Sequence, residues 1–461
     1  MPRPWSGTRL RRLPLLSRRA PEQVIEQARW TGTLVTGGIV AATMFTLSGG
    51  LLTLGARIMA RLPLVPQQSL RHRSDIAVRA VHPDRVHLDA VGEATRGGYL
   101  ALRQAGGAAH VRLGPVTHRP TPTTVARPLL GTDGEEPLRV DRAAVNGFYW
   151  SGSPITAHGF PTEEVEIDSP VGRMPAWLVR PDPASGAAGR RTEGTGPGPD
   201  QVETWAILIH GHGAARGEAL RLMPLLRSLG LVSLAITYRN DTGAPPSADR
   251  MHHLGSDEWE DTEAAIAFAL AHGAQRIVLV GWSMGGGIAL RTSVRSAHRD
   301  RIATLVLDSP AVDWHDILGY HAASLRAPVP MRHIAMWMMT SPLGARTVRL
   351  REPLALHEMR PEFYGEHLAH PTLLLHAMDD ATVPPGPSRH LASLRPDLVR
   401  FVPVDGASHT REWNLDPARI ERIVARHLVG TLGLDVDVDT LDLPVRDPAA
   451  PPLPGSTGER I

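Results

Sequence analysis

Ser283 stands in the stretch Gly-Trp-Ser-Met-Gly from Gly281 to Gly285, directly after the apolar run Ile277–Val280. A serine hydroxyl is a weak nucleophile until a base takes its proton. Glycines two residues away on each side suit a sharp strand-to-helix bend, where a Cβ at Gly281 or Gly285 would crowd the backbone. A helix beginning at Met284 would aim free amides at the serine, and such amides stabilise a developing oxyanion. The competing reading is an ordinary Gly/Ser turn. An apolar strand-like run before Ser283 and a helical pattern after it favour the bend.

The required base is a histidine oriented by a carboxylate. His409, in "VDGASHTREW", and Asp380, in "LLLHAMDDATVPP", each follow an apolar strand-like run, and the chain order is Ser, Asp, His. The sequence holds 22 histidines, so position at a strand end is what selects His409. Asp379 adjoins Asp380 and competes with it. Asp308, in "LVLDSP", reads as a structural carboxylate, and His376 as a residue that shapes the Asp380 loop. A second oxyanion donor besides the Met284 amide is expected at "HGHG", His210–Gly213, where the backbone N–H of His212 is selected. Trp282 and Tyr238 are candidates to line a substrate pocket.

These residues need a frame that brings strand ends together. The runs "TWAILIHGHG", "LVSLAITYRN", "RIVLVGWS", "IATLVLDSP", "PTLLLHAMDD" and "LVRFVPVDG" alternate with helical patterns over 215–229, 257–271, 284–297 and 417–428. Short, nearly continuous apolar strands alternating with helices predict a mostly parallel sheet flanked by helices, an α/β class. Reactive residues then belong in loops at the carboxyl ends of the strands. Upstream, "EEVEIDSPVGRMPAWLVRP" reads as a hairpin pairing Val165–Ile167 with Ala176–Val179.

The pieces "HGHG", "GSDEWEDTEAAIAFAL", "VGWSMGG", "HAMDDATVPP" and "GASH" resemble the alpha/beta hydrolase superfamily, in particular its serine-aminopeptidase-like and prolyl-oligopeptidase-like esterases. They span 163–429. The resemblance implies the alpha/beta hydrolase fold, and as the acid the Asp three residues before Val-Pro, here Asp380. "HGHG" departs from the commoner oxyanion loops, and "HAMDD" has Ala where Gly is usual. The stretch between Pro310 and Pro371 is where this fold often inserts a cap. Within it "MRHIAMWMMTSPLG" reads as an amphipathic helix or as an apolar pocket wall, the former being favoured.

The rest of the chain sets the context. Five units are expected: a basic tail (1–29), a transmembrane helix (30–58), a β-rich membrane-proximal region (59–160), the hydrolase domain (161–430), and an acidic, Pro-rich flexible tail (431–461). The stretch from Trp30 to Ala56 has no charged residue and exceeds the roughly 20 residues that a bilayer core requires. The basic tail tips the orientation toward N-inside, with the hydrolase domain extracytoplasmic. A formal net charge of +2 is too close to neutral to suggest a general nucleic-acid binder, so no nucleic-acid partner is expected, and the absence of cysteine excludes disulfides and thiolate chemistry. No Walker-type phosphate loop, His-Glu-x-x-His or dinucleotide fingerprint occurs, so no cofactor or metal is expected. The expectation is a membrane-anchored serine hydrolase acting on an ester, thioester or amide of a small-molecule or lipid-like acyl substrate. An acyltransferase with the same residues, and a non-catalytic envelope binding protein on this fold, are the alternatives. Oligomeric state is not legible.

Overall fold

Alternating strand and helix patterns produce a sheet sandwiched between helices. The computed structural model describes residues 49–66, 75–181 and 202–441. Its larger sheet has eight strands. Six of them run parallel: β10 (Thr204–Ile209), β11 (Val232–Ile236), β12 (Arg276–Trp282), β13 (Ile302–Asp308), β14 (Thr372–Ala377) and β15 (Val399–Val404). The antiparallel hairpin of β8 (Thr162–Ser169) and β9 (Gly172–Val179) completes one edge. The strand order is β15-β14-β13-β12-β10-β11-β9-β8. The hairpin turns at the expected Ser-Pro-Val-Gly, with Pro170 and Val171 between the paired Ser169 and Gly172. That short turn sets Ile167 opposite Met174 and Val179 opposite Thr162. Of the expected partners, Val165 and Ala176 do meet, while Ile167 pairs nearer the turn.

The helices are α1 (Gly49–Arg61), α2 (Pro154–His158), α3 (Met223–Ser228), α4 (Trp259–Ala271), α5 (Met284–Arg295), α6 (Trp314–Ser324), α7 (Val329–Thr340), α8 (Pro342–Val348), α9 (Pro361–His367), α10 (Gly386–Leu394), α11 (Glu412–Leu415) and α12 (Pro417–Leu432). Strand residues alternate between two apolar cores, one on each face of the sheet. Ile207, Ile209, Leu279 and Leu305 pack with Ile266 of α4 and Ile288 of α5. Ala206, Leu208, Val280 and Val306 pack with Leu225 of α3 and Ile423 of α12. The helical pattern expected over 215–229 is a 3-10 turn (Arg216–Arg221) followed by α3, since Pro224 fits only a first helical turn.

The β-rich region forms a separate antiparallel sheet: β1 (Ile76–Val81), β2 (Arg85–Asp89), β3 (Leu100–Gln104), β4 (Ala109–Leu113), β5 (His118–Thr121), β6 (Thr124–Thr132) and β7 (Arg142–Asn146). The order is β2-β1-β7-β3-β4-β6-β5, and β2 also pairs with β6, which closes six strands into a barrel-like ring. Its core is aliphatic, with Val86, Leu88, Leu100, Leu102, Leu113 and Val125 buried. The buried Arg127 guanidinium donates to the carbonyls of Ala94 (3.0 Å), Gly98 (3.0 Å) and Gly114 (2.7 Å), and to that of Arg96. Burial pushes its pKa down to about 10, so the group stays charged at neutral pH.

Two boundaries differ from expectation. Residues 30–48 of the expected transmembrane helix lie outside the described residues. From Gly49 the chain is α1, which packs against α7 and α8, with Ala56 and Ala60 buried in the sheet unit's core. Small residues four apart let the helix approach closely, so 49–58 is docked on protein, and the rest of α1 with the turn after it (59–66) belongs to the sheet unit as well. Among the described residues no helix is long and apolar enough to cross a membrane. At the other end, α12 continues to Leu432, and Leu434, Val436 and Val438 pack onto the α12 face of the sheet. Residues 431–441 are thus part of the folded unit, because the aspartates alternate with apolar residues that face inward. Residues 442–461 of the expected tail lie outside the described residues.

Candidate active site

The strand β12 ends in the bend that carries Ser283, whose backbone sits at φ 52°, ψ −118°. This region is costly for a residue with a side chain, so the surroundings must hold it. They do: the Ser283 amide donates to Asp308 O (3.0 Å), and its carbonyl accepts from Gly286 N (3.0 Å) and Ala311 N (2.9 Å). A Cβ at Gly281 would lie 2.4 Å from Gly285 O, and one at Gly285 would lie 2.1 Å from Ile209 O. Glycine at both positions is a steric requirement.

The loops after β14 and β15 bring the other two residues to this bend. Ser283 Oγ lies 2.8 Å from His409 Nε2, and His409 Nδ1 lies 2.6 Å from Asp380 Oδ2. The Nδ1 proton faces the carboxylate, which leaves Nε2 free to accept from the hydroxyl. Asp380 Oδ1 accepts from the amides of Thr382 (2.8 Å) and Val383 (2.9 Å). Burial alone would push the Asp380 carboxyl up. The His409 charge and the hydrogen bonds of His376 and His409 outweigh it and hold the group well below the usual carboxylate range. Asp379 is exposed and stays out of the site. His376 donates to Val383 O (2.9 Å) and bonds Ser388 Oγ (2.9 Å), so it shapes the acid loop as its position suggested.

Asp308 is buried beneath the bend beside Glu412. Burial, and then the charge and hydrogen bond of Glu412, push the Asp308 carboxyl well above its ordinary value. Glu412 Oε1 accepts from Ser309 Oγ (2.6 Å) and from the Ala377 amide (2.7 Å). The pair therefore ties the end of β13 to the end of β14 and to α11, three residues after His409.

The loop His210–Gly213 runs against the bend, since a Cβ at Gly211 would lie 3.1 Å from Ser283 Cβ. The Gly211 amide donates to Glu218 Oε2 (2.8 Å). The Gly211 carbonyl accepts from Tyr238 Oη (3.1 Å) and from His210 Nδ1 (3.0 Å). In a trans peptide the next N–H points opposite to that carbonyl. Holding the carbonyl thus fixes the direction of the His212 amide. Among the described residues neither the His212 nor the Met284 amide donates to a protein acceptor.

Tyr238 and Trp282 are both fully buried, so neither lines an open pocket. Tyr238 stacks on His210 (ring centroids 4.4 Å apart) and braces the loop, and Arg221 lies over the Trp282 ring at 5.5 Å. Their proximity in sequence to the strand ends was a true signal of place, but their large apolar surfaces are spent in the core.

Several contributors carry no side-chain signal in the sequence. Glu218 and Arg221 link the two active loops: Arg221 Nη2 donates to Glu218 Oε1 (2.8 Å) and Nη1 to Thr410 O (2.8 Å). The turn after α1 also reaches the site. The His212 ring donates from Nε2 to Pro63 O (3.1 Å), and the His252 amide donates to Leu64 O (2.7 Å). Burial, and then the neighbouring His252, push His212 down to about 3, so its ring is a neutral strut. On the far side, Asn414 Nδ2 donates to Tyr99 O (2.7 Å) and Gly147 O (3.0 Å), pinning the segment after His409 onto the barrel. Among the described residues no group of three or more His, Asp or Glu is arranged to hold a metal ion.

Residues 77–146, the barrel, match a family described as a domain of unknown function, DUF8805. Residues 207–366 match the family described as "alpha/beta hydrolase fold". No curated protein matches the chain. Similar solved structures include an esterase of Pyrococcus furiosus, 17% identical, with 62% of this chain and 98% of that chain covered and a TM-score of 0.44. A puromycin-hydrolyzing peptidase of Mycobacterium tuberculosis is 18% identical, with 71% and 47% covered and a TM-score of 0.44. An acylaminoacyl peptidase of Pyrococcus horikoshii is 14% identical, with 76% and 54% covered and a TM-score of 0.42. The strand order, the Ser283 bend and the family match over 207–366 agree, and the unit that holds Ser283, Asp380 and His409 is an alpha/beta hydrolase fold.

Proposed function

We propose that the chain is a serine hydrolase of esters, thioesters or amides that works through an acyl-enzyme. The observation that carries this reading is the continuous relay from Ser283 Oγ to His409 Nε2 (2.8 Å) and from His409 Nδ1 to Asp380 Oδ2 (2.6 Å). Ser283 Oγ attacks the substrate carbonyl carbon while its proton passes to His409 Nε2. The carbonyl electron pair moves onto oxygen, and the amides of His212 and Met284 stabilise that charge. Asp380 orients the imidazole and balances the imidazolium without taking its proton. His409 then gives the proton to the leaving oxygen, sulfur or nitrogen, which departs and leaves Ser283 acylated. Water, deprotonated by His409, releases the acid by the same steps in reverse.

The location reading rests on the uncharged run. With 49–58 docked on the folded unit, the nineteen uncharged residues 30–48, which lie outside the described residues, remain as the segment proposed to span. Their number suits a bilayer core of about 30 Å. Anchoring through 30–48 predicts that the full chain stays with membranes through alkaline carbonate washing.

The test of the activity is a screen of purified full-length protein against p-nitrophenyl esters of increasing acyl length, thioesters and aminoacyl amides. Turnover that disappears in Ser283→Ala supports the reading. Equal turnover in Ser283→Ala, or none from folded wild type on any of these substrates, overturns it.

A further inference from the structure

The outer face of α1 is apolar where a surface helix is ordinarily polar. Leu51, Leu54 and Ile58 recur at i, i+3 and i+7 and are 41%, 53% and 46% exposed. Helices α7 and α8 pack beside α1 and carry two further exposed apolar side chains, Trp337 and Leu343, 47% and 68% exposed. A groove of about 330 Å³ runs along this face, lined by Leu54, Arg57, Ile58, Arg61 and Arg349. It joins two aliphatic side chains to three guanidinium groups. Arg61 Nη1 donates to Val348 O (2.6 Å), and among the described residues none of the three pairs with a carboxylate. Burial, and then the charges of Arg349 and Arg57, push the Arg61 guanidinium below its ordinary value. From Gln27 to Ser74 the sequence has no Asp or Glu, and the chain directly upstream of α1 is the uncharged run.

We propose that this groove binds the phosphate of an anionic phospholipid and seats the α1–α8 face on a membrane surface, with Leu51, Leu54, Ile58 and Trp337 at the headgroup–acyl boundary. Guanidinium groups match a phosphate oxyanion with several N–H donors at once. Aliphatic side chains beside them suit the glycerol and first methylenes of a lipid, and Trp is at home at that depth. A soluble anion would satisfy the cations but leave the apolar stripe in water. An apolar protein partner would leave three like charges uncompensated at its edge. The lipid reading accounts for both halves of the groove. It is independent of the chemistry at Ser283.

The test uses the full chain in neutral detergent micelles, with thermal unfolding followed by tryptophan fluorescence. Dioleoylphosphatidylglycerol should raise Tm in a saturable way, while dioleoylphosphatidylcholine and inorganic phosphate should not. In Arg57→Gln/Arg349→Gln, the phosphatidylglycerol concentration for half-maximal effect should rise about tenfold or more. Arg57→Lys/Arg349→Lys should keep most of the response, and Leu54→Asp should lose it while every arginine remains. All three variants are at exposed positions, so their Tm without lipid should match wild type. An equal shift with phosphatidylcholine would show apolar contact alone, and an equal shift with inorganic phosphate would show a free-anion site. Either result, or an unchanged response in the Gln variant, overturns the proposal.

Discussion

Asp380 orients His409 through a 2.6 Å bond and is itself held by two backbone amides. Asp380→Asn keeps the size but loses the charge and presents an amide to Nδ1, which favours the wrong tautomer. We expect kcat to fall about 10³–10⁴-fold with little change in KM or Tm, as measured by steady-state kinetics and thermal unfolding. Tyr238 gives a subtler case. Its hydroxyl is one of two donors to the Gly211 carbonyl, so Tyr238→Phe loosens the peptide that aims the His212 amide. Here kcat should fall roughly tenfold while KM stays near wild type, since the oxyanion exists only in the transition state. A rise in KM with kcat unchanged would instead return Tyr238 to the pocket-lining role that its sequence position suggested. Ser283, Asp380 and His409 were legible because each follows an apolar strand and the order matches the strand order. Pro63 and Leu64 were not, because what they contribute is a backbone carbonyl, and any residue carries one.

The loops that deliver these residues are braced from opposite directions. Glu218 and Arg221 tie the His210–Gly213 loop to Thr410, and Asn414 ties the segment after His409 to the barrel. A Cβ at Gly98 would lie 2.1 Å from Asn414 O, so the barrel and α11 are in backbone contact there. Asn414→Ala removes two hydrogen bonds at that contact. It should cost about 2 kcal/mol in urea unfolding and also lower kcat, because the His409 loop loses its anchor. Loss of stability with kcat intact would show that the barrel acts on folding alone. The parallel strands were readable, since each is a buried apolar run. The barrel was readable only as alternation, because its closure depends on β2 meeting β6 across more than thirty residues. The packing of Leu434, Val436 and Val438 was hidden by the aspartates between them, whose charge suggested a solvated tail. The docking of α1 was hidden by the uncharged run that leads into it, because small residues such as Ala56 and Ala60 look the same facing lipid or protein.

The folded chain carries buried and half-buried histidines whose titration sets an acid limit. Burial pushes His158 and His427 down to about 4 and His212 to about 3, against an ordinary value of 6.5. Below pH 6.5 the unfolded chain takes up protons that the folded chain refuses. The stability from these groups is thus full above about pH 6.5 and is lost as the pH falls toward 4, by about 3 kcal/mol for each. His253 acts in the opposite sense. Burial would lower it, but Asp249 and Asp257 raise it to about 10, so its contribution is full below pH 6.5 and fades as the pH rises through 10. Tm should therefore peak near neutrality, and His427→Gln should shallow the acid limb. A Tm unchanged between pH 7 and pH 4.5 would contradict this balance.

Every step proposed at this site requires the Ser283 oxygen to be nucleophilic because His409 takes its proton. Intact-mass measurement after treating the full-length protein with a fluorophosphonate at neutral pH addresses this without knowledge of the substrate. One adduct per chain, mapped by peptide sequencing to Ser283, is predicted, with none in Ser283→Ala and labelling at least 10³-fold slower in His409→Ala. A folded wild type that takes no adduct, or that labels equally fast without His409, would contradict it.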